Sequence, residues 1–193
     1  MKILSIKPEA KDQDGEEFTI GIPCALSKNF LSDVPSVVAV SYLSVTPEKE
    51  QPWVTEIYDE SNNRNKVDGT LKLFFSAAYQ GTEYLEKLQK AVLVVSLDGN
   101  NDDEDWVFID KGIVFTNWVN HNVFEITTEL SDSRKQLTIT VFHVGDTGST
   151  KKKANYVDIG FRYVAACEDK KKKTTTVHVS QDPSIGVSRG KGG

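Results

Sequence analysis

The sequence is poor in the residues that build metal and redox centres. Its 193 residues include two cysteines, Cys24 and Cys167. Two thiols exclude a four-cysteine zinc site. They point to two buried thiols in a reducing compartment, with a single disulfide as the other arrangement open to them. The three histidines, His121, His143 and His178, include no pair at the spacing of a metal-ligand motif. No apolar run approaches the roughly 18 residues of a membrane helix. The start of the chain lacks a basic segment followed by a long apolar one. The expected location is therefore cytoplasmic, or outside the cell by release without a conventional signal peptide. The GxSxG elbow, the phosphate loop and the GxGxxG fingerprint are missing, so the expectation is a protein that is not an enzyme.

What is present is ordinary for a folded chain: 38% hydrophobic and 26% charged residues. The length suits one domain, expected over residues 1–188, followed by a flexible tail at 189–193 where "GVSRGKGG" has no apolar content after Val187. The net charge of −5 is uneven. Residues 1–150 carry 13 Lys/Arg and 24 Asp/Glu, a net of −11, and residues 151–193 carry 10 and 4, a net of +6. Such asymmetry suits a basic end that meets an acidic partner, or self-association of one molecule's acidic body with another's basic end.

Period-two alternation dominates. It predicts strands at 2–7, 17–22, 36–45, 70–78, 91–97, 105–110, 112–119, 123–130, 136–144, 156–166 and 174–180, with an edge strand near Trp53–Tyr58. Between them lie "DQDG", "SNNRN", "LDGNN", "NHN", "SDS" and "GDTGS", whose residues favour turns. Only "GTEYLEKLQKA" (81–91) reads as helical, with Tyr84, Leu85 and Leu88 on one side and Thr82 as a cap. The expected fold is all-β: an antiparallel two-sheet β-sandwich, jelly-roll or immunoglobulin-like, with one short helix near 81–90.

Three groups of residues are candidates for a site. The first is the acidic stretch "SLDGNNDDEDWVF" (96–108). Counted from Asp98 as an EF-hand loop, Asp103 stands where glycine is needed and Ile109 where glutamate is needed, so that motif fails. A looser calcium site at Asp98, Asn100, Asp102 and Asp105 competes with a solvated hairpin tip. The tip is the expectation, and no cofactor is expected. The second is the pair of lysine runs, Lys151, Lys152 and Lys153, and Lys170, Lys171, Lys172 and Lys173. Placed at opposite ends of one strand and without interleaved aromatics, they argue against a nucleic-acid groove. They leave contact with a charged partner or an anionic membrane surface open at each end. The third is Trp106 and Trp118 with Asn117, Asn120 and His121. If strands 105–110 and 112–119 form a hairpin, both tryptophans reach the acidic end. There a ring stacks on a sugar while amides bond its hydroxyls, or else both rings fill the core.

The closing segment "QDPSIGV" (181–187) resembles the DP-x-I-x-V-like ending of small bacterial inclusion-body proteins of the AidA/PixA type. The resemblance covers about a tenth of the chain, and no function is carried over from it.

The leading expectation is a non-catalytic binding sandwich for carbohydrate, in the manner of a lectin, or for a protein surface. The alternatives are a self-assembling homo-oligomeric subunit and a membrane-active sandwich toxin.

Overall fold

The computed structural model describes residues 3–5, 8–9, 18–22, 37–50, 52–59, 61–67, 69–76, 89–117, 123–150, 153–181 and 183–190. Among the described residues every regular element is a strand. In chain order these are β1 (Ile3–Ser5), β2 (Pro8–Glu9), β3 (Phe18–Ile22), β4 (Val37–Thr46), β5 (Val54–Tyr58), β6 (Arg64–Lys66) and β7 (Thr70–Phe75). They continue with β8 (Gln89–Leu97), β9 (Glu104–Phe115), β10 (Glu125–Leu130), β11 (Gln136–Phe142), β12 (Val157–Asp169), β13 (Thr174–Val179) and β14 (Ser184–Arg189). The helix expected near 81–90 falls largely outside the described residues, and its last two positions, Gln89 and Lys90, are strand. Among the described residues no helix is long and apolar enough to cross a membrane.

The strands form two seven-stranded sheets. The first runs β10-β11-β8-β4-β5-β6, with β1 also against β4; the second runs β13-β12-β14-β7-β3-β2, with β9 also against β12. Neither sheet is purely antiparallel, which corrects the expectation. β4 pairs β8 in parallel over nine residues, and β3 and β14 both flank β7 in parallel. Between β4 and β8 the chain passes through β5, β6 and β7, and β7 belongs to the second sheet. The parallel pair is therefore joined by a crossover through the other layer, as parallel neighbours require. The two sheets bury their facing residues in one core, to which Leu43, Val45, Leu93 and Ile139 of the first sheet and Ile20, Leu73, Phe108 and Ile185 of the second belong.

β9 corrects a second expectation. Residues 105–110 and 112–115 do not form a hairpin. They lie along one strand that runs antiparallel to β12 from Asp169 to Phe161, and Trp118 and Val119 lie outside the described residues. The pairing is interrupted where Phe108 and Ile113 face Ala165 and Tyr163, so that Ile109–Gly112 bulge out of register. Asp110 (φ 53°) and Gly112 (φ 76°) take the left-handed backbone that the bulge needs. Gly112 also lies against two leucines: a Cβ there would sit 2.9 Å from Leu137 and 3.0 Å from Leu130.

The tail is expected to begin at residue 189; residues 191–193 lie outside the described residues. Arg189 ends β14, is 4% exposed, and binds inside the molecule.

Candidate functional site

The acidic loop is built by its asparagines. Asn101 Oδ1 accepts the backbone N–H groups of Asp103 (2.9 Å) and Glu104 (2.8 Å), and Asn100 Oδ1 accepts that of Trp106 (2.7 Å). These side chains replace ladder partners at the turn. Four of the loop's five carboxylates each meet a cation. Asp98 pairs with Arg64 (2.7 Å), Asp103 with Lys171 (2.6 Å), Asp105 with Lys135, and Glu104 with Lys49. Lys135 also donates to Asn100 Oδ1 (3.0 Å) and to Trp106 O (2.7 Å). Asp102 is exposed. Asn100 and Asp105 thus share Lys135 Nζ, Asp98 turns to Arg64 and Asp102 is exposed, so the four do not surround one open position. Among the described residues no three His, Cys, Asp or Glu side chains gather where a cation would sit.

The basic turn lies directly beside this loop. Lys173 takes left-handed backbone (φ 54°) and donates to Asp169 O, while Asp169 Oδ1 accepts the N–H groups of Lys171 and Lys172. The turn so fixed puts Lys170 N–H on Asp103 O (2.9 Å) and Lys170 Nζ on Asn101 O (2.9 Å). Opposite charges more than sixty residues apart in sequence therefore meet within one molecule. The acidic loop and the basic turn are thus already in contact within one molecule. Lys153 precedes β12 and Lys170–Lys173 follow it, at the two ends of a 13-residue strand. Lys151 and Lys152 lie outside the described residues.

These pairs set a pH dependence. The hydrogen bond from Lys49 holds the Glu104 carboxyl below its ordinary 4.5, and the backbone N–H of Lys172 holds Asp169 below its ordinary 3.8. A carboxyl with a depressed folded-state pKa stabilises fully above its unfolded value and loses that contribution as pH falls through the folded one. The melting temperature is expected to drop between about pH 5 and pH 3. A flat profile over that window, read by circular dichroism, contradicts this arrangement. The pairs are largely exposed, so the drop is modest.

Trp106 faces inward. It is 1% exposed, with its ring 6.0 Å from Trp53 edge-on and 5.1 Å from His178. Tyr163, also buried, stacks on the other tryptophan at 6.4 Å, and burial raises its hydroxyl pKa well above the ordinary 10.0. A ring enclosed in this way offers no face to a sugar. Asn117 is exposed and follows the far end of β9. Trp106 faces Cys167, and Phe115 faces Phe161 six residues away on β12, which is about 20 Å at strand rise. Trp106 and Asn117 therefore belong to opposite ends of the sheet. Trp118, Asn120 and His121 lie outside the described residues. Cys167 is a free, buried thiol whose pKa is raised chiefly by desolvation.

One apolar surface stands out on the second sheet. Inward positions of β12 are Phe161, Tyr163, Ala165 and Cys167, all in the core. Val164 and Ala166 therefore point outward, and their partners Val179 and Val177 on β13 share that face. Val107 of β9 faces Ala166 from the other side. Val177 is 59% and Val179 48% exposed, an apolar row on the outer face of the sheet.

β13 also ends the sheet. Among the described residues it pairs only with β12. Ser180 N–H bonds Tyr163 O, which fixes the phase of the ladder. Even-numbered residues face β12. Thr175, Val177 and Val179 turn their backbone N–H and C=O groups to the open edge. "TTTVHV" carries no charge and no proline, the devices that usually guard an edge.

Residues 39–189 match the family model described as DP-EP family. The chain belongs to the DP-EP family. The matched stretch begins in β4 and ends on Arg189, so the acidic loop, Trp106, the lysine turn and β13 all belong to the part that defines membership. No curated protein and no solved structure matches the chain.

Proposed function

We propose that this DP-EP family member is a non-catalytic β-sandwich that works by binding a protein surface, and that the surface is a second copy of itself joined through β13. The observation that carries this reading is the open, uncharged edge of β13 beside the exposed Val177–Val179 row. An edge strand can meet its own copy antiparallel about a two-fold axis, so one patch serves both partners. With no charge in residues 174–179, two copies approach without like-charge repulsion at the joint. The pairing satisfies backbone groups otherwise left to water and continues the valine row from one copy to the next. The reading requires no cofactor. Carbohydrate binding has lost Trp106 as its platform.

The test is sedimentation velocity of the wild type and of the Val177→Lys/Val179→Lys double variant over a concentration series. Both positions are exposed, so folding stability is expected to change by less than about 0.5 kcal/mol. The wild type is expected to show a dimer that grows with concentration, and the variant to remain monomeric. Because the contact is apolar and built from backbone hydrogen bonds, sulfate is expected to strengthen it. A wild type that is monomeric throughout, or a dimer that dissolves in high salt, contradicts the proposal.

A further inference from the structure

A second, separate feature lies between the sheets. A cavity of about 150 Å³ opens there. Leu43, Leu93 and Ile139 of the first sheet and Leu71, Phe161 and Ile185 of the second line its interior, and all six are buried. Its rim is formed by Val67, Gly69, Gln181, Pro183 and Ser184, which are half-buried or exposed. At Gly69 a Cβ would meet nothing within 4 Å, so the mouth is open at that corner.

The chemistry of the lining narrows what can enter. Among the described residues none of the lining side chains is charged, so an ion there would lose its hydration without a counter-charge from them. The polar groups are already engaged with one another. Gln181 accepts Trp53 N–H (2.8 Å) and donates to Trp53 O (2.6 Å). Ser184 shares a hydrogen bond with Thr70 (2.6 Å), and Tyr163 with Thr55. Among the described residues no buried side-chain nitrogen or oxygen lacks a partner. Water held in a cavity needs two to four polar partners, and the polar side chains of this lining are few and each already bonds to a protein group. Apolar cavities of about this size stay dry and admit benzene-sized molecules.

We infer that the space between the sheets is a binding site for a small, uncharged, apolar molecule of about benzene's size, entering past Val67 and Gly69. It is separate from the Val177–Val179 row of β13, which faces outward.

The test uses benzene as the probe and benzoate as a charged control of the same shape. Methyl carbon–proton spectra report the site directly through Leu43, Leu71, Leu93, Ile139 and Ile185. Benzene is expected to shift these methyls saturably and to raise the melting temperature, while benzoate leaves both unchanged. Val67→Trp at the half-buried rim is expected to weaken benzene at least tenfold without lowering the melting temperature of the unliganded protein. Should that variant fold poorly, Val67→Phe carries the same expectation. The Val177→Lys/Val179→Lys variant is expected to bind benzene as the wild type does. No shift of the lining methyls at benzene saturation overturns the inference. So do equal shifts with benzoate, and so does undiminished binding in a folded, rim-blocked variant.

Discussion

Trp106→Ala is expected to cost about 3–5 kcal/mol of folding stability, the range for removing a fully buried tryptophan. The side chain ties three strands together. It stands on β9 opposite Cys167 of β12, and its ring packs on His178 of β13 and on Trp53 at the entry to β5. Alanine leaves a cavity that this framework cannot close, because the neighbouring rings are themselves held: Trp53 donates its indole N–H to Glu48 O, and Tyr163 stacks against Trp53. Trp106→Phe keeps most of the volume and is expected to lose less. Urea denaturation with an unchanged m-value measures both. The same experiment separates the two roles the sequence allowed. A ligand platform loses affinity and keeps its stability, whereas a core ring loses stability. A loss below about 1 kcal/mol would place Trp106 outside the core.

Arg189→Leu is expected to be nearly as damaging. The guanidinium donates from Nε to Val144 O (2.6 Å) and from Nη1 to Gln89 Oε1 (2.7 Å) and Ser76 O (3.3 Å), and it lies 5.5 Å from the Phe75 ring. Leucine removes the donors and strips Val144 O and Gln89 Oε1 of a buried partner, while Ser76 O keeps Gln89 Nε2. Each orphaned buried acceptor costs about 1–3 kcal/mol, so a total of about 3 kcal/mol or more is expected. Around it, Thr147 and Ser149 share a hydrogen bond (2.9 Å), Ser149 shares another with Ser188 (2.9 Å), and Thr147 Oγ1 accepts Arg189 N–H (3.0 Å). The loop after β11 is thereby clasped to the end of β14. Arg189→Lys restores one donor and is expected to recover part of the loss. An Arg189→Leu protein that melts like the wild type would return residue 189 to a solvated tail.

Period-two alternation located β3, β4, β7, β8, β10, β11, β12 and β13 to within a few residues, because one buried face leaves a mark on every second position. Strand direction leaves no such mark. The runs "SVVAVSYLSV" and "AVLVVSL" carried a trace of it, since near-continuous apolar strands suit parallel neighbours, and β4 and β8 are such a pair. β9 was divided in two because Asp110–Lys111–Gly112 has the composition of a turn, and here it makes a bulge instead. β14 was missed because a serine, a glycine and an arginine interrupt its apolar positions, yet Gly186, Ser188 and Arg189 are all buried. Contacts between distant segments were the least legible. Nothing local to 98–105 or 170–173 says that Asp103 of one loop meets Lys171 of the other. Only the sheet order shows that Val177 and Val179 look outward and that, among the described residues, β13 ends the sheet.

Hydrogen exchange at the amides of β13 addresses the self-pairing claim at its own atoms. The ladder to β12 protects Thr174, Thr176, His178 and Ser180 in a single molecule, whereas Thr175, Val177 and Val179 have N–H groups directed to the open edge. The account predicts that these three exchange quickly in dilute protein and slow as concentration rises, while the even-numbered amides stay protected throughout. In the Val177→Lys/Val179→Lys variant the three are expected to remain fast at every concentration. Fast exchange at Thr175, Val177 and Val179 in concentrated wild-type protein would contradict the account.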